Sequence, residues 1–354
     1  MYYEEVPKYV LRYTTNIIYG VVVPILVVIG LFGNILTFLV LKKELPMTST
    51  TRLLFALTCA DFVYMLTTAF SDALIIAKFF IPDTIRQIQI RFFLPMETVG
   101  WSMPSYISNW MVVMISLERA IAVTFPLKAK QIWTKRASSA AICVAIFLPT
   151  ISAGARLLKA RGVPARNNIT NVTTYRMELF YVPGLDRDFY DVLRLVNTYM
   201  LYVVPLCIVI CANICIVVGI YRNKGNNMTA QNVSMRRKRD NRISRMLLSL
   251  CAMFCLCVLP YTTLTTYNIS TKSSNNNQYI YKNSTVELLI YVAYACLICN
   301  SAMNFVIYVA TSSTFRRRYI DILCSSCTRY KENQQNLNAN TDITYTSEKN
   351  GKGK

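Results

Sequence analysis

The residues of this sequence that are placed to do chemistry are polar side chains inside long apolar stretches. Asp61 stands in the middle of one stretch, in the run Leu57-Thr-Cys-Ala-Asp61. An ionisable residue at the centre of a membrane span costs about 2.5–3.5 kcal/mol on insertion scales, so such a residue marks a site to examine. Amide and hydroxyl residues in other stretches complete this set: Asn34, Ser108, Asn300, Ser301 and Asn304.

Two interpretations of these polar residues are open. They can form several hydrogen bonds between helices that satisfy one another, each contributing well under about 2 kcal/mol. Alternatively, they converge on one cluster around a cation or a switch, since hard cations prefer oxygen ligands. A lone carboxylate among many short oxygen donors favours the cluster.

The sequence contains no histidine. This absence excludes His-based zinc sites, Ser-His-Asp and Cys-His catalysis, and a histidine pH switch. We therefore predict neither an enzyme nor a transition-metal site. Cys207, Cys211 and Cys215 repeat every four residues along one helical face. They are interpreted as small buried residues that pack a helix, with a soft-metal site as the alternative.

The composition is that of a membrane protein. Of 354 residues, 54% are hydrophobic and only 16% charged, against about 25% charged residues in soluble domains. The net charge is +20, and the mean hydropathy of +0.34 favours a cytosolic surface that faces anionic lipid over a nucleic-acid surface. Seven stretches reach the roughly 20 residues that a spanning helix needs: Ile17–Leu41, Thr51–Phe80, Glu97–Thr124, Ser138–Leu158, Val192–Tyr221, Ile243–Ser270 and Thr285–Thr311.

The distribution of Lys and Arg predicts the orientation of these spans. Of the 38 basic residues, 24 lie in or close to the loops and in the C-terminal segment that an extracellular N-terminus would place in the cytosol, which indicates that the N-terminus is outside and the C-terminus inside. No cysteine then falls in an outer loop, so we expect no structural disulfide there. The predicted glycosylation sites are Asn168, Asn171, Asn268 and Asn283, and the predicted palmitoylation sites are Cys324 and Cys327.

These observations predict an all-α fold, a seven-transmembrane helix bundle followed by a short amphipathic cytosolic helix. Residues 1–16 form the extracellular N-terminus and residues 17–311 the bundle. Residues 312–327 form the membrane-surface helix. Residues 328–354 are polar and are predicted to be a disordered cytosolic tail.

Six motifs occur in a fixed order along these spans. Glu118-Arg119-Ala120 ends the third span, and the others are Gly33-Asn34, Leu57 to Asp61, Pro205, Phe254-x-x-Cys257-x-x-Pro260 and Asn304-Phe305-Val306-Ile307-Tyr308. This set resembles the rhodopsin-like G-protein-coupled receptors over about residues 17–327. The run from Asn300 to Tyr308 is most similar to invertebrate neuropeptide receptors of the FMRFamide type.

The resemblance implies a plasma-membrane receptor that binds an extracellular peptide and activates a heterotrimeric G protein, with arrestin and a receptor kinase acting on the tail. It implies that Arg119 faces the G protein and pairs with Asp240 in the resting state, with Glu118 as a second partner. The alternative for Asp240 is an exposed charge that offsets Arg239 and Arg242, which contributes about 0–1 kcal/mol.

The resemblance also assigns roles to residues of the other spans. Asn304 and Tyr308 belong to the switch in the seventh span. An allosteric sodium ion, the sole cofactor implied, would lie among Asp61, Ser108, Asn300, Ser301 and Asn304, with Asn34 in the same polar cluster.

Candidate ligand contacts follow from the same comparison. Trp101 stands where amine receptors carry aspartate, and Ile298 stands where opsins carry the retinal lysine, so neither ligand class fits. An amidated peptide that ends in arginine and an aromatic residue needs an acid and an aromatic wall. The candidates are Asp72, Glu97, Trp101, Tyr106 and Glu287, and the alternative for the three acids is a solvated loop edge.

The sequence departs from the family pattern at several positions. The family has an aromatic residue, a tyrosine, a tryptophan and a proline where this chain carries Ala120, Asn213, Val258 and Phe305, in that order, and it has a cysteine near Leu94. Two alternative functions therefore remain open. One is a degenerate receptor-like protein with weak coupling, and the other is a transporter or channel that uses Asp61 as a coupling site.

Overall fold

The computed structural model describes residues 7–44, 47–77, 102–126, 128–157, 160–166, 173–179, 187–224, 231–274 and 284–324. Helix α1 consists of Lys8–Ile17, a π-helical turn at Ile18–Val22, and Val23–Lys42. Helices α2, α3 and α4 are Ser49–Ala77, Met103–Thr124 and Lys135–Leu157. A one-turn helix, Ala129–Ile132, precedes α4.

The second half of the chain forms helices α5 to α8. Helix α5 consists of Arg187–Thr198, a π-helical turn at Tyr199–Val203, and Val204–Lys224. Helix α6 is Gln231–Ser274, and α7 consists of Ser284–Ala302 and Asn304–Thr311. Helix α8 covers residues 313–324.

The predicted fold class is confirmed, with one addition. Between α4 and α5 lie two antiparallel strands, Ala160–Arg166 and Thr173–Leu179, which the sequence analysis did not predict. Among the described residues, α1, α2, α3, α5, α6 and α7 contain segments long and apolar enough to cross a membrane. Helix α4 has 23 residues but is less apolar, and it packs against α2 and α3 to complete a seven-helix bundle.

The core of the bundle is centred on α3. Successive residues Met111, Val112, Val113 and Ile115 are almost fully buried, so this helix is enclosed on all sides rather than on one stripe. Outward-facing apolar side chains on other helices, such as Phe147, are exposed. A bundle with an apolar outer surface is suited to a lipid environment.

The cysteines of α5 correct one prediction. Cys207, Cys211 and Cys215 are exposed on the outer surface and do not pack the interior. Spacing of four residues places side chains on one face of a helix, but it does not decide which way that face points. The prediction of buried packing residues was therefore wrong.

Helix α7 is interrupted at Met303, although the family proline of this region is replaced by Phe305. Phe305 lies against Gly33 of α1, where a Cβ atom would stand 2.5 Å from the Phe305 Cβ. The Phe305 ring also contacts Phe32 and Tyr319 edge-on, at centroid distances of 6.3 and 5.0 Å. Aromatic packing against α1 and α8 thus accompanies the interruption in place of a proline ring.

Helix α8 is fixed to the bundle by two buried aromatic residues. Phe315 stacks on Tyr308 of α7 at a centroid distance of 5.1 Å, and the Tyr319 hydroxyl hydrogen-bonds Thr37 of α1 at 3.0 Å. Burial raises the pKa of Tyr319 to about 12, with the Thr37 hydrogen bond opposing the shift, so the phenol remains neutral at physiological pH. Arg318 of α8 forms an ion pair with Glu44 beyond the end of α1.

The Gly33–Phe305 contact predicts a stability effect. Gly33→Ala is expected to cost about 1–3 kcal/mol through overpacking and to lower the thermal midpoint in detergent. Gly20→Ala is the matched control, because a Cβ there meets nothing within 4 Å, and alanine favours a helix by up to about 1 kcal/mol. A double-mutant cycle with Phe305→Gly, which removes the clashing Phe305 Cβ together with the ring, should show that the overpacking is relieved. An unchanged midpoint in Gly33→Ala would show that α1 and α7 separate without cost.

Candidate functional site

The Asp61 carboxylate joins three helices at the centre of the bundle. It is fully buried in α2. The Ser108 hydroxyl of α3 donates to Asp61 Oδ1 at 2.6 Å, and the Asn304 amide of α7 donates to Asp61 Oδ2 at 2.6 Å. Asn304 is the first residue after the interruption of α7, so the interruption determines where this amide points. These hydrogen bonds converge on one carboxylate, and a cation or a switch at this cluster remains a prediction.

The remaining members of the predicted cluster lie around these three residues. Ser301 is buried in α7, close to the same Asp61 carboxylate. Asn34 of α1 donates its amide to the Ser301 carbonyl at 3.4 Å, and Asn300 is buried next to Ser301 in α7. Asn34 therefore ties α1 to α7 instead of contacting Asp61 through a described hydrogen bond.

A second polar site lies at the C-terminal end of α3. Arg119 Nη2 donates to Glu118 Oε1 at 3.0 Å, and both side chains are buried. Thr50, in the first turn of α2, donates its hydroxyl to Glu118 Oε1 at 2.8 Å and accepts a hydrogen bond from Arg119 Nη2. Glu118 Oε2 and Arg119 Nε have no hydrogen-bond partner among the described residues. The arginine is thus held by Glu118 and by Thr50 of α2, and its Nε is a donor without an acceptor among the described residues.

Sequence reasoning missed Thr50. The signal was present as a cluster of hydroxyl residues, Thr48-Ser49-Thr50-Thr51, at the start of an apolar span. Such residues normally suggest helix capping, and Thr48 and Thr51 do hydrogen-bond each other at 2.8 Å. The long-range contact of Thr50 depends on how α2 packs against α3, which the sequence pattern does not contain.

Four tyrosine rings form a continuous belt across the outer half of the bundle. Tyr106 of α3 contacts Tyr202 of α5 at a centroid distance of 5.3 Å, and Tyr202 contacts Tyr261 of α6 at 5.0 Å. Tyr261 in turn contacts Tyr294 of α7 at 5.7 Å. Of these four residues only Tyr106 was predicted, although Tyr202 lies three residues before Pro205 of α5 and Tyr261 directly follows Pro260 of α6. The belt is therefore a continuous aromatic surface to which α3, α5, α6 and α7 each contribute one ring.

The structure describes two of the three acids predicted to contact the ligand, Asp72 and Glu287, and they differ in their hydrogen bonding. Asp72, near the outer end of α2, is only 6% exposed, and its Oδ1 has no hydrogen-bond partner among the described residues. Glu287, in the first turn of α7, accepts a hydrogen bond from the Tyr291 hydroxyl at 2.8 Å. Tyr291 contacts Tyr19 of α1 at a centroid distance of 5.9 Å. Asp72 is therefore a buried acid with an unused oxygen, whereas Glu287 already has a partner.

Other predicted residues lie outside the described part of the chain: Glu97, Trp101, Asn168, Asn171, Asn283 and Cys327. The backbones of Asp240 and Asn268 belong to α6, but their side chains also lie outside the described part. The Arg119–Asp240 pair therefore remains a prediction. Cys324 is exposed at the last position of α8, and the cysteines described in the structure are free thiols.

Comparison with known proteins gives one family and several distant relatives. Residues 33–308 match the family model of the 7 transmembrane receptor (rhodopsin family). A Caenorhabditis elegans protein whose name assigns it to the G-protein-coupled receptors, F59B2.13, is 23% identical over 87% of this chain and 73% of its own length. Somatostatin receptor type 2 of Mus musculus is 22% identical over 88% of this chain and 78% of its own length. Galanin receptor 2b of Danio rerio is 23% identical over 86% and 74%.

Proposed function

Since this chain belongs to the rhodopsin family of seven-transmembrane receptors, which are signalling receptors rather than enzymes, we propose that it binds an extracellular peptide and activates a heterotrimeric G protein. The observation that carries this proposal is the buried Arg119 at the inner end of α3. Its charge is balanced by Glu118 and it also donates a hydrogen bond to Thr50, yet its Nε has no acceptor among the described residues. A G protein that offers acceptor groups at this surface would compete with these internal partners.

The peptide class is supported from two sides. The relatives that match this chain include receptors for somatostatin and galanin, both peptides. In this chain, the tyrosine belt supplies a broad aromatic floor, and Asp72 supplies a buried acid with an unused oxygen. An arginine side chain of a peptide can stack on tyrosine and pair with a carboxylate.

The deciding experiment is ligand-dependent nucleotide exchange. The receptor is expressed in cells, challenged with amidated neuropeptides, and assayed for guanine-nucleotide exchange on co-expressed G proteins. We expect at least one peptide with a basic residue near its amidated end to stimulate exchange. Binding without exchange in the presence of every G-protein class would instead support the alternative of a degenerate receptor with weak coupling.

The remaining assignments follow from the same proposal. The receptor lies in the plasma membrane with its N-terminus outside and its C-terminus in the cytosol, where the tail would bind arrestin and a receptor kinase. Asn168, Asn171, Asn268 and Asn283 would carry glycans on the outside. Cys324 and Cys327 would carry palmitoyl groups next to the inner membrane surface, and the exposure of Cys324 at the end of α8 permits this.

The Asp61 cluster has the donor chemistry of a sodium site. A carboxylate and two hydroxyl groups, from Asp61, Ser108 and Ser301, converge from three helices, and all three residues are buried. A bound cation would neutralise the carboxylate there. The chain itself positions the oxygens through the α7 interruption and the Asn304 contact. We propose that sodium bound at this cluster stabilises the resting arrangement of α2, α3 and α7.

This proposal predicts linkage between sodium and agonist. If sodium prefers the resting state, agonist affinity should rise when sodium is replaced by a larger cation such as N-methylglucamine. Asp61→Asn should remove the difference, because the amide lacks the negative charge. The measurement is radioligand competition in the two salts at equal ionic strength. A sodium response that persists in Asp61→Asn would mean that Asp61 is a structural hydrogen-bonding residue and that the ion binds elsewhere.

A further inference from the structure

A membrane-facing groove of about 930 Å³ lies between α2, α3 and α4, on the opposite side of α2 from α1 and α7. Its floor contains small residues of α2, including Ala56, Cys59 and Ala60. Met111 of α3 and Ile142 of α4 lie along its walls. The small floor residues create depth, because side chains from the two flanking helices extend beyond them.

The groove is long enough to hold a lipid acyl chain. On α2 it extends from Arg52 to Thr67, which is about 22 Å at 1.5 Å per helical residue, against about 30 Å for a bilayer hydrocarbon core. Nearly all of its lining is aliphatic, aromatic or sulfur-containing. An apolar trench of this length on the outside of a membrane bundle is filled by lipid rather than by water.

The end of the groove next to the cytosolic loops is cationic. Arg52 of α2 and Lys135 of α4 both line it there. Arg52 Nη1 donates only a long hydrogen bond of 3.4 Å to Ser139, and no carboxylate pairs with Arg52 or Lys135 among the described residues. Lys135, Ser139, Ile142 and Ile146 repeat along one face of α4, so this face changes from cationic to polar to apolar towards the membrane centre. A phospholipid presents the same order of chemistry along its length.

We propose that this groove is a binding site for a glycerophospholipid with an anionic headgroup, taken from the cytosolic leaflet. Arg52 and Lys135 bind the headgroup phosphate and carboxylate, and an acyl chain lies along Ala56 and Ala60. Phosphatidylserine has this chemistry and is abundant in the cytosolic leaflet. The choice of leaflet rests on the proposed orientation, but the site itself is independent of the proposed peptide ligand and of G-protein coupling.

The test is lipid retention by the purified full-length receptor. The receptor is reconstituted in nanodiscs of phosphatidylcholine and phosphatidylserine with identical acyl chains, extracted mildly, and analysed by native mass spectrometry for bound lipid. We expect retention of phosphatidylserine over phosphatidylcholine, and a loss of about 30-fold in that preference for Arg52→Gln/Lys135→Gln, because removal of two basic contacts at about 1 kcal/mol each amounts to about 2 kcal/mol. Lys43→Gln/Arg317→Gln is the matched control, since both of its residues are exposed basic groups that do not line the groove.

A second variant separates the groove from general surface charge. Ala60→Phe fills the floor without altering charge and should reduce retention of both lipids. Its thermal midpoint, measured alongside, establishes that the bundle is intact; if it fails to fold, the two charge variants decide the question alone. Equal retention of the two lipids by the wild type, or equal losses in the groove and control charge variants, would overturn the proposal.

Discussion

Arg119→Ala is expected to abolish agonist-stimulated nucleotide exchange while leaving agonist binding intact. Arg119 is the buried cation at the inner end of α3, and it is the residue that the proposed function presents to the G protein. Without the guanidinium, the G protein loses a charge-assisted partner whose removal costs about 2–5 kcal/mol, or about 30-fold or more in coupling efficiency. The measurement is nucleotide exchange at matched surface expression, with radioligand binding on the same membranes.

Loss of a group that holds Arg119 in the resting state should raise ligand-free nucleotide exchange, rather than abolish the agonist-stimulated exchange. Glu118→Gln removes the charge that holds Arg119, and Thr50→Val removes the hydroxyl that both residues share. If the Glu118 contact contributes about 1.4 kcal/mol to the resting state, its loss raises the active-to-resting ratio about tenfold. Ligand-free exchange should therefore rise in Glu118→Gln and, to a smaller extent, in Thr50→Val.

Asp240→Ala distinguishes the two candidate partners of Arg119. If Asp240 of α6 is the principal lock, its variant should raise ligand-free exchange by more than Glu118→Gln does. If the described contacts of Glu118 and Thr50 hold the arginine, Asp240→Ala should behave like wild type. Low ligand-free exchange in all three variants, with agonist responses intact, would show that none of these contacts restrains the receptor.

Asp72→Asn is expected to weaken binding of an arginine-containing peptide agonist about 30-fold, since loss of a desolvated charge partner costs about 2 kcal/mol or more. Asp72 is buried near the outer end of α2, and its Oδ1 has no partner among the described residues. A buried carboxylate without a partner carries a desolvation cost that a ligand cation can offset. The substitution keeps shape and size, so the effect reports charge.

The peptide supplies the second half of this test. Each receptor is measured by competition with two peptides that differ only by arginine or its uncharged analogue citrulline. Asp72→Asn should weaken binding of the arginine peptide alone, which gives a coupling energy between the two charges. Glu287→Gln is the matched control, because Glu287 already accepts a hydrogen bond from Tyr291. Affinities within about threefold for single substitutions at Asp72, Glu97 and Glu287 would exclude an acidic anchor of this kind.

The membrane class, the helical fold and the candidate polar residues could all be predicted from the amino-acid sequence. Uninterrupted apolar stretches of about 20 residues permit few structures in lipid, because every backbone polar group must be satisfied internally. The position of Asp61 was equally informative, since a carboxylate in hydrocarbon is too costly to be placed without a partner. The lipid environment therefore makes composition and span length sufficient to predict the fold class, and it marks Asp61 as a position to examine.

The boundaries of the helices were less predictable. Helix α1 begins at Lys8, inside the polar segment that was assigned to the extracellular N-terminus, and α6 begins at Gln231, well before its apolar portion. Hydropathy reports the length of a helix only within the membrane, because a helix can continue into water without any apolar signal. The strand pair between α4 and α5 lies in such a polar region.

Which polar residues meet, and which helix faces point outwards, depends on how the helices pack and could not be predicted from the sequence. Ser108 and Asn304 donate hydrogen bonds to Asp61, whereas Asn34 donates to the Ser301 backbone carbonyl. The three donors lie in spans whose sequences gave no reason to expect this difference. Thr50 joins Glu118 and Arg119 from a helix 68 positions away along the chain. The α5 cysteines face outwards although their spacing suits a buried face equally well. Periodicity fixes the relative angle of side chains on one helix, but the rotation of each helix about its axis is set by packing against its neighbours, as Gly33 against Phe305 illustrates.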